Sequence, residues 1–275
     1  MNSLVHAQGT ESRRITVNHD RFYLGFNVAP VQTSIFNENF KSTTALLSKN
    51  GNSINPSLEF GYFFSRIAGI SIGAEYSSYS AKLEVDSTSI SFQDVDSEDE
   101  NYEMRIQGKS MTENQKISLI TIPVCLNLRF KAGAKMGFYL NAGVSFNIPI
   151  EKSYSGTGIF SYSGYYSEYP VLLQDLPEYG FPINQNTKSS GELQLQSFHT
   201  DVTASGGITL SLNNKITMLL GANFSKSLGN ISAYKPDPEF RLTSKVDDLN
   251  SIMAGSSGAG LQSVGLSIGF RYYLK

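Results

Sequence analysis

The feature that constrains this chain most is a two-residue alternation in which the non-apolar partner is usually small. The last segment, Val264–Lys275, reads VGLSIGFRYYLK. Val264, Leu266, Ile268, Phe270 and Tyr272 alternate with Gly265, Ser267, Gly269, Arg271 and Tyr273. A period of two is the signature of a β-strand with two unlike faces. The pattern recurs in seven further segments: 22–28, 58–64, 70–76, 120–130, 138–148, 201–210 and 216–225. Leu119, Leu219 and Phe63 interrupt it. The connections alternate as well. SRIAG (65–69), KAGAK (131–135) and LNNK (212–215) are tight-turn sequences, whereas 32–53, 80–115, 151–192 and 229–260 are long links. An up-and-down meander puts all long links at one end and all tight turns, with both chain termini, at the other.

Periodicity alone does not say whether the apolar face meets a core or lipid. A soluble eight-stranded barrel turns it inward, as in a lipocalin-like ligand binder; a membrane barrel turns it outward. Composition separates the two. A water-facing surface carries roughly a quarter to a third charged residues. The polar strand faces here carry mostly Gly, Ser, Asn, Thr and Tyr, and charged residues are 17% of the chain. Gly25, Gly61, Gly73, Gly137, Gly143, Gly207, Gly221, Gly265 and Gly269 all fall on that face, and of the strand glycines only Gly206 clearly does not. Glycine weakens a strand unless the space it leaves is needed. An eight-stranded lumen, just wide enough to be filled by side chains, needs small residues beside Tyr23, Phe63, Tyr139 and Tyr273. The expected fold is therefore all-β: an eight-stranded antiparallel up-and-down transmembrane β-barrel with short periplasmic turns and four long outer loops. Tyr62, Tyr76, Phe130, Phe138, Phe224 and Tyr272, near strand ends on the apolar face, are expected at the membrane interfaces. The acidic stretch Ser87–Glu103 and the Tyr-rich stretch Gly156–Pro170 read as loops, although the pieces SISF and GIFSYS have the character to extend the wall. Residues 1–18 read as a signal-peptide remnant or a disordered N-terminus, and 19–275 as one barrel domain.

The central ISLITIPVCLNLRFKAG and the terminal GLSIGFRYYLK resemble the PorT-like family of outer-membrane β-barrels, in which an IP-x-x-L strand precedes a short turn; Ile122-Pro123 with Leu126 matches. The resemblance implies an integral outer-membrane protein with both termini periplasmic. It also implies contact with membrane lipid and lipopolysaccharide and with other envelope proteins.

Little in the chain points to chemistry. A net charge of −2 supplies no electrostatic reason for nucleic acid binding, and one cysteine, Cys125, provides neither a disulfide nor a thiolate zinc site. No cofactor, metal site or catalytic residue is expected. Glu59 and Glu75, symmetric about a hairpin centred near Ile67, are expected near each other on the lumen face. Arg129 and Arg271 lie on the same face, so these four form an expected lumen ion network. His199, two residues from Asp201, is the candidate base of an alternative reading, an outer-leaflet lipid-modifying hydrolase with Ser145, Ser205 or Ser225 as nucleophile; no G-x-S-x-G motif is present. Asp94, Asp96, Glu98 and Asp99 lack the spacing of a calcium loop and read as a solvated acidic tip. Tyr162, Tyr165, Tyr166, Tyr169, Tyr179 and Phe181 form an expected interaction surface on the loops.

Overall fold

Why the chain closes on itself is visible in its strand register. A computed structural model describes residues 21–38, 46–235, 237 and 239–274; the expectation for residues 1–18 lies outside them. The strands are β1 (Phe22–Glu38), β2 (Leu46–Tyr62), β3 (Ala68–Val95), β4 (Asn101–Lys131), β5 (Met136–Tyr166), β6 (Val171–Gln174), β7 (Gln185–Glu192), β8 (His199–Ser211), β9 (Ile216–Ser227) and β10 (Gly258–Leu274). All neighbours pair antiparallel, in the order β4-β3-β2-β1-β10-β9-β8-β5, and a β4–β5 pairing closes these eight into a ring. Strands β6 and β7 pair with the far half of β5 and continue the wall above β8.

Local chemistry sets the tight turns. In the β2–β3 turn the Ser65 hydroxyl accepts from the backbone N–H of Ile67 (3.1 Å) and Ala68 (2.8 Å). In the β8–β9 turn Asn213 Oδ1 accepts from Lys215 and Ile216 N–H, both at 2.8 Å. Both are side chains standing in for a backbone acceptor. One mid-strand irregularity has a similarly local cause. Pro123 has no N–H to donate, and the β3–β4 ladder skips from Ile72↔Val124 to Glu75↔Thr121 where Gly73 faces it.

The wall has two storeys with opposite faces. In the lower storey the apolar residues point out: Leu24, Phe26, Leu58, Phe60, Ile70, Ile72, Leu126, Leu140, Leu266 (68% exposed) and Ile268 are exposed, while Tyr23, Asn127, Tyr139 and Arg271 are buried inside. Val264 to Tyr272 spans about 26 Å of strand at ~3.3 Å per residue. That is about 20 Å of height at the ~40° tilt of membrane barrels, close to their lipid-facing band of ~25 Å. The soluble-barrel alternative, which needs the aliphatics inside, is thereby excluded. The six aromatic residues expected at the interfaces fall at two levels, Tyr62, Phe130, Phe138 and Tyr272 at the tight-turn end and Tyr76 and Phe224 at the other, while Phe26, Phe60 and Phe270 share the face between them.

Above this band the polarity inverts. Leu83, Val85, Ile106, Met111, Ile117, Phe160 and Tyr162 are buried inside, and Lys82, Glu84, Lys116 and Thr157 point outward. On β3 the inversion is a change of composition on an unbroken alternation, with Ile70, Ile72 and Tyr76 giving way to Ser80, Lys82 and Glu84 on the outward face and Ser71 and Ser77 to Leu83 and Val85 on the inward one. In the β4–β5 pair it is accompanied by register shifts between Ser118 and Leu119 and between Lys109 and Thr112. Such bulges move the following residues to the other face. Leu119, Leu219 and Phe63, which break the alternation, all point inward and are buried. The acidic and Tyr-rich stretches expected to be loops are strands of this upper wall. They looked like loops because their outward face meets water and is polar. The β3–β4 connection is only a turn, in which Asp96 Oδ1 accepts from Glu98 and Glu100 N–H at 2.9 Å.

Candidate functional site: the lumen and the rim

The lower lumen is organised by a missing side chain. On β1, Gly25 pairs with Glu59 of β2 on one side and Arg271 of β10 on the other. With no Cβ between them, the guanidinium reaches the carboxylate, and Arg271 Nε lies 2.9 Å from Glu59 Oε1. A methyl group on Gly25 would collide with the Glu59 side chain. Arg271 is 2% exposed, and its guanidinium lies 4.5 Å from the ring centroid of Tyr23 and 5.9 Å from that of Tyr139. Asn127 donates to the Tyr23 hydroxyl at 2.8 Å, and Ser71 donates to Asn127 at 3.3 Å. Gly61 lies under the Tyr23 ring and Gly221 under the Tyr139 hydroxyl, where any side chain would clash.

Of the four residues expected to form one ion network, the structure joins Glu59 and Arg271 only. Glu75 pairs with Ser57 rather than opposite Glu59, because the β2–β3 hairpin is centred one residue earlier than Ile67 and Glu59 faces Gly73. Its carboxylate accepts from Ser77 (2.7 Å) and Asn55 (3.3 Å) instead of a cation. Arg129 sits at the tight-turn mouth, stacked over Phe63 at 3.8 Å and donating to the Arg66 carbonyl at 3.1 Å.

Further up the lumen, the Thr121 hydroxyl lies 2.7 Å from Asn147 Oδ1 and 3.2 Å from Ser77 Oγ. His199 Nε2 lies 3.7 Å from Asp201 Oδ1, beyond hydrogen-bond distance, and neither ring nitrogen of His199 has a hydrogen-bond partner. Ser225 donates to Asp201 rather than to His199 (3.2 Å), and Ser205 accepts from Asn141. The histidine is 8% exposed and faces the lumen, away from lipid. The residues of the hydrolase alternative are therefore not assembled as nucleophile and base. Among the described residues no group of three or more His, Cys, Asp or Glu is placed to hold a metal ion.

The upper interior is apolar and filled. One cluster gathers Leu83, Ile106, Phe160 and Tyr162 with Leu242, Leu249 and Ile252; a second gathers Ile35, Ile117 and Leu119 with Leu195, Ile231 and Met253. The segment between β9 and β10 thus folds into the barrel mouth. It is tethered by Glu113, a buried carboxylate that accepts from Gln115 (2.7 Å), the Ser251 hydroxyl (2.9 Å) and Ile252 N–H (2.8 Å) at the start of a short 3₁₀ helix, Ile252–Gly255. Burial pushes the Glu113 carboxyl above the usual carboxylate range, and its hydrogen bonds oppose that shift only in part. Sequence reasoning missed Glu113; its signal was an acidic residue between the inward Met111 and Gln115.

The expected aromatic surface divides in two. Tyr162 and Phe181 belong to the interior, with the Tyr162 hydroxyl near Thr243 Oγ1 (3.1 Å) and donating to the Lys245 carbonyl (3.2 Å). Tyr166 stacks on Tyr102 at 5.3 Å, and Tyr165 lies under Arg105 at 4.5 Å. Only Tyr169 (60% exposed) and Tyr179 (70%) stand free, beside exposed Val171, Leu172 and Ile183. Tyr169 precedes β6 and Tyr179 and Ile183 follow it in the link from β5 to β7, and β6 terminates the sheet order. The tyrosines inside were indistinguishable from those outside without the β5 register.

A family match agrees with this architecture. The family described as "Outer membrane protein beta-barrel domain" matches residues 7–174. Three solved structures are similar at low identity. Neisserial surface protein A (NspA) is 9% identical over 92% of this chain and 97% of its own, with a TM-score of 0.38. The outer membrane protein OprG from Pseudomonas aeruginosa is 12% identical over 92% and 97%, with a TM-score of 0.40. Ail, the attachment invasion locus protein of Yersinia pestis, is 10% identical over 92% and 99%, with a TM-score of 0.31. No curated protein matches the sequence significantly.

Proposed function

This chain belongs to the family of outer membrane protein beta-barrel domains, and on that premise we propose that it is a non-enzymatic integral barrel whose extramembrane rim docks other envelope proteins. Within that family we assign it to the PorT-like barrels, on Ile122-Pro123 and Leu126 of β4. The wall above the lipid band faces outward from the cell, both termini lie in the periplasm, and the barrel contacts membrane lipid, including lipopolysaccharide. The observation that carries the reading is the division of labour along the axis. The lower lumen is occupied by the Arg271, Glu59, Tyr23 and Tyr139 group, and the mouth by the inward-folded segment bearing Leu242, Leu249, Ile252 and Met253. A barrel filled at both levels works through what it displays, not through what it conducts. What it displays at its far end is the apolar rim of Tyr169, Val171, Leu172, Tyr179 and Ile183. Tyrosine and aliphatic residues there match the composition of interface cores.

The test is a photo-crosslinking amino acid placed at Tyr169 or Tyr179 in cells, with Phe270 on the lipid-facing band as the comparison site. A discrete protein adduct from the rim positions and none from Phe270 is expected. Rim positions that give no adduct above the Phe270 background refute the docking role. A conductance measurement in planar bilayers checks the filled lumen; steady ohmic conductance from the wild type refutes it.

A further inference from the structure

Three lysines occupy the outward face of the wall immediately above the lipid-facing band. Lys49 of β2 is paired directly opposite Lys82 of β3. On the next strand, β4, Asn114 is opposite Lys82 and Lys116 is opposite Ser80, so Lys116 is the diagonal neighbour of Lys82. Like charges facing each other across a strand pair are ordinarily destabilising. Here three of them line one concavity of about 460 Å³ that spans four strands, with Ser80, Asn114, Ser153 and Ser155 among its other lining residues and no carboxylate in the lining. The nearby carboxylates do not balance them. Glu84 Oε1 alone holds both Lys49 (2.7 Å) and Lys82 (3.0 Å), and Glu151 holds Lys116 at 3.0 Å. Three ammonium groups against two carboxylates leave a net positive charge. Each ammonium has three N–H donors, and the three side chains are about half exposed, at 62%, 46% and 54%. Exposed pairs of this kind hold only weakly.

Position decides what the concavity meets. Down the same strands the outward residues become Ser78 and Ser118, then Tyr76 and Ile120. The Tyr76 hydroxyl donates to Ser118, which in turn donates to Glu151, marking the edge of the apolar band. Lys116 is four residues above Ile120, about 13 Å along the strand at ~3.3 Å per residue. That is the depth of lipid headgroups, not of bulk solvent. A molecule lodged among the lysines has Ile120, Ile148 and Ile150 directly below it as a track for its chains.

We propose that Lys49, Lys82 and Lys116 form a binding site for the phosphate of an acylated glycolipid whose chains run down the adjoining apolar wall. The site is independent of the rim docking but rests on the reading that this wall faces outward from the cell and contacts lipopolysaccharide, and loss of either function leaves the other intact. The phosphate accepts charge-assisted hydrogen bonds from three ammonium groups and relieves the Lys49–Lys82 repulsion. The seryl and asparagine side chains around them serve the sugar hydroxyls.

The experiment uses the full chain in phosphatidylcholine nanodiscs. The probes are a diphosphorylated acylated disaccharide lipid, the same lipid with its phosphates removed, and inorganic pyrophosphate, with binding read by native mass spectrometry. The wild type is expected to bind the phosphorylated lipid at least ten-fold tighter than the dephosphorylated one, with affinity falling as salt rises. The K49Q/K82Q/K116Q variant is expected to lose that preference, while K109Q/K188Q, which removes as exposed a pair of charges elsewhere on the wall, retains it. Heat-modifiable migration confirms that each variant is folded. Should the triple variant fail that check, K82Q alone, at the centre of the three, is expected to lose at least three-fold. Equal binding of the two lipids by the wild type, or undiminished binding by the lysine variants, overturns the proposal. So does pyrophosphate competing as well as the lipid, which would make the site a plain anion site.

Discussion

Removing Glu59 leaves a guanidinium buried inside a membrane barrel without its counter-charge, and the cost can be worked out from its surroundings. Breaking a buried ion pair from one side costs about 3–5 kcal/mol, because the remaining charge stays desolvated. In Glu59→Leu, Arg271 keeps the faces of Tyr23 at 4.5 Å and Tyr139 at 5.9 Å, and a long contact to Asn141 at 3.5 Å. A desolvated cation–π contact is worth up to about 2 kcal/mol, which puts the loss near the lower limit, about 3 kcal/mol. That corresponds to a roughly hundred-fold rise in the unfolding constant. The double variant Glu59→Leu/Arg271→Met removes both charges and replaces them with apolar groups of similar length, a change that is often neutral or stabilising. The double variant should therefore be more stable than Glu59→Leu alone, with a coupling free energy of about 2–3 kcal/mol. Urea unfolding in lipid vesicles, followed by heat-modifiable migration, measures the cycle. A coupling energy below about 0.5 kcal/mol, the size of additivity error, would refute the claim that this pair organises the lumen.

Three further outcomes follow from the same geometry. Ile106→Ala, at a fully buried position of the upper interior, should cost about 2–5 kcal/mol and raise protease sensitivity of the β9–β10 segment, as read by limited proteolysis. The Glu113 carboxyl, raised by burial, binds its proton more tightly in the docked state than when the segment is released. Docking should therefore be strongest at low pH and weaken as pH rises from the ordinary carboxylate range through the raised value. Hydrogen exchange at Ile252 and Met253 checks this, and Glu113→Gln should flatten the dependence. Tyr169→Ser/Tyr179→Ser should change barrel stability by no more than about 0.5 kcal/mol, as surface substitutions do, while abolishing crosslinks from neighbouring rim positions such as Leu172.

How much of this was legible in the chain varied with the solvent each stretch meets. The lower storey could be read directly, because lipid on one side and a crowded lumen on the other impose a two-residue period on every strand. The inward glycines could be read from the bulk of the tyrosines that need their space. The upper wall was hidden for the opposite reason. Its outward face meets water, so segments such as 87–95 and 156–166 carry the polar composition of loops, and the bulges at Lys109–Thr112 and Ser118–Leu119 accompany the exchange of faces in the β4–β5 pair. The ion network was half legible. Glu59 and Arg271, 212 residues apart, were named from their shared face, but Glu75 was misplaced because one residue of turn geometry decides which rung it occupies.

From its sequence alone, the chain dictates an eight-stranded barrel with its aliphatics turned to lipid, since alternation, small inward residues and alternating connection lengths follow from steric and solvation requirements that act within each hairpin. Tertiary structure decides which charges meet and which tyrosines remain free. Those outcomes depend on the β1–β10 closure and on the stagger between neighbouring strands, and a shift of one or two residues there, invisible in composition, moves a side chain to another rung or another face.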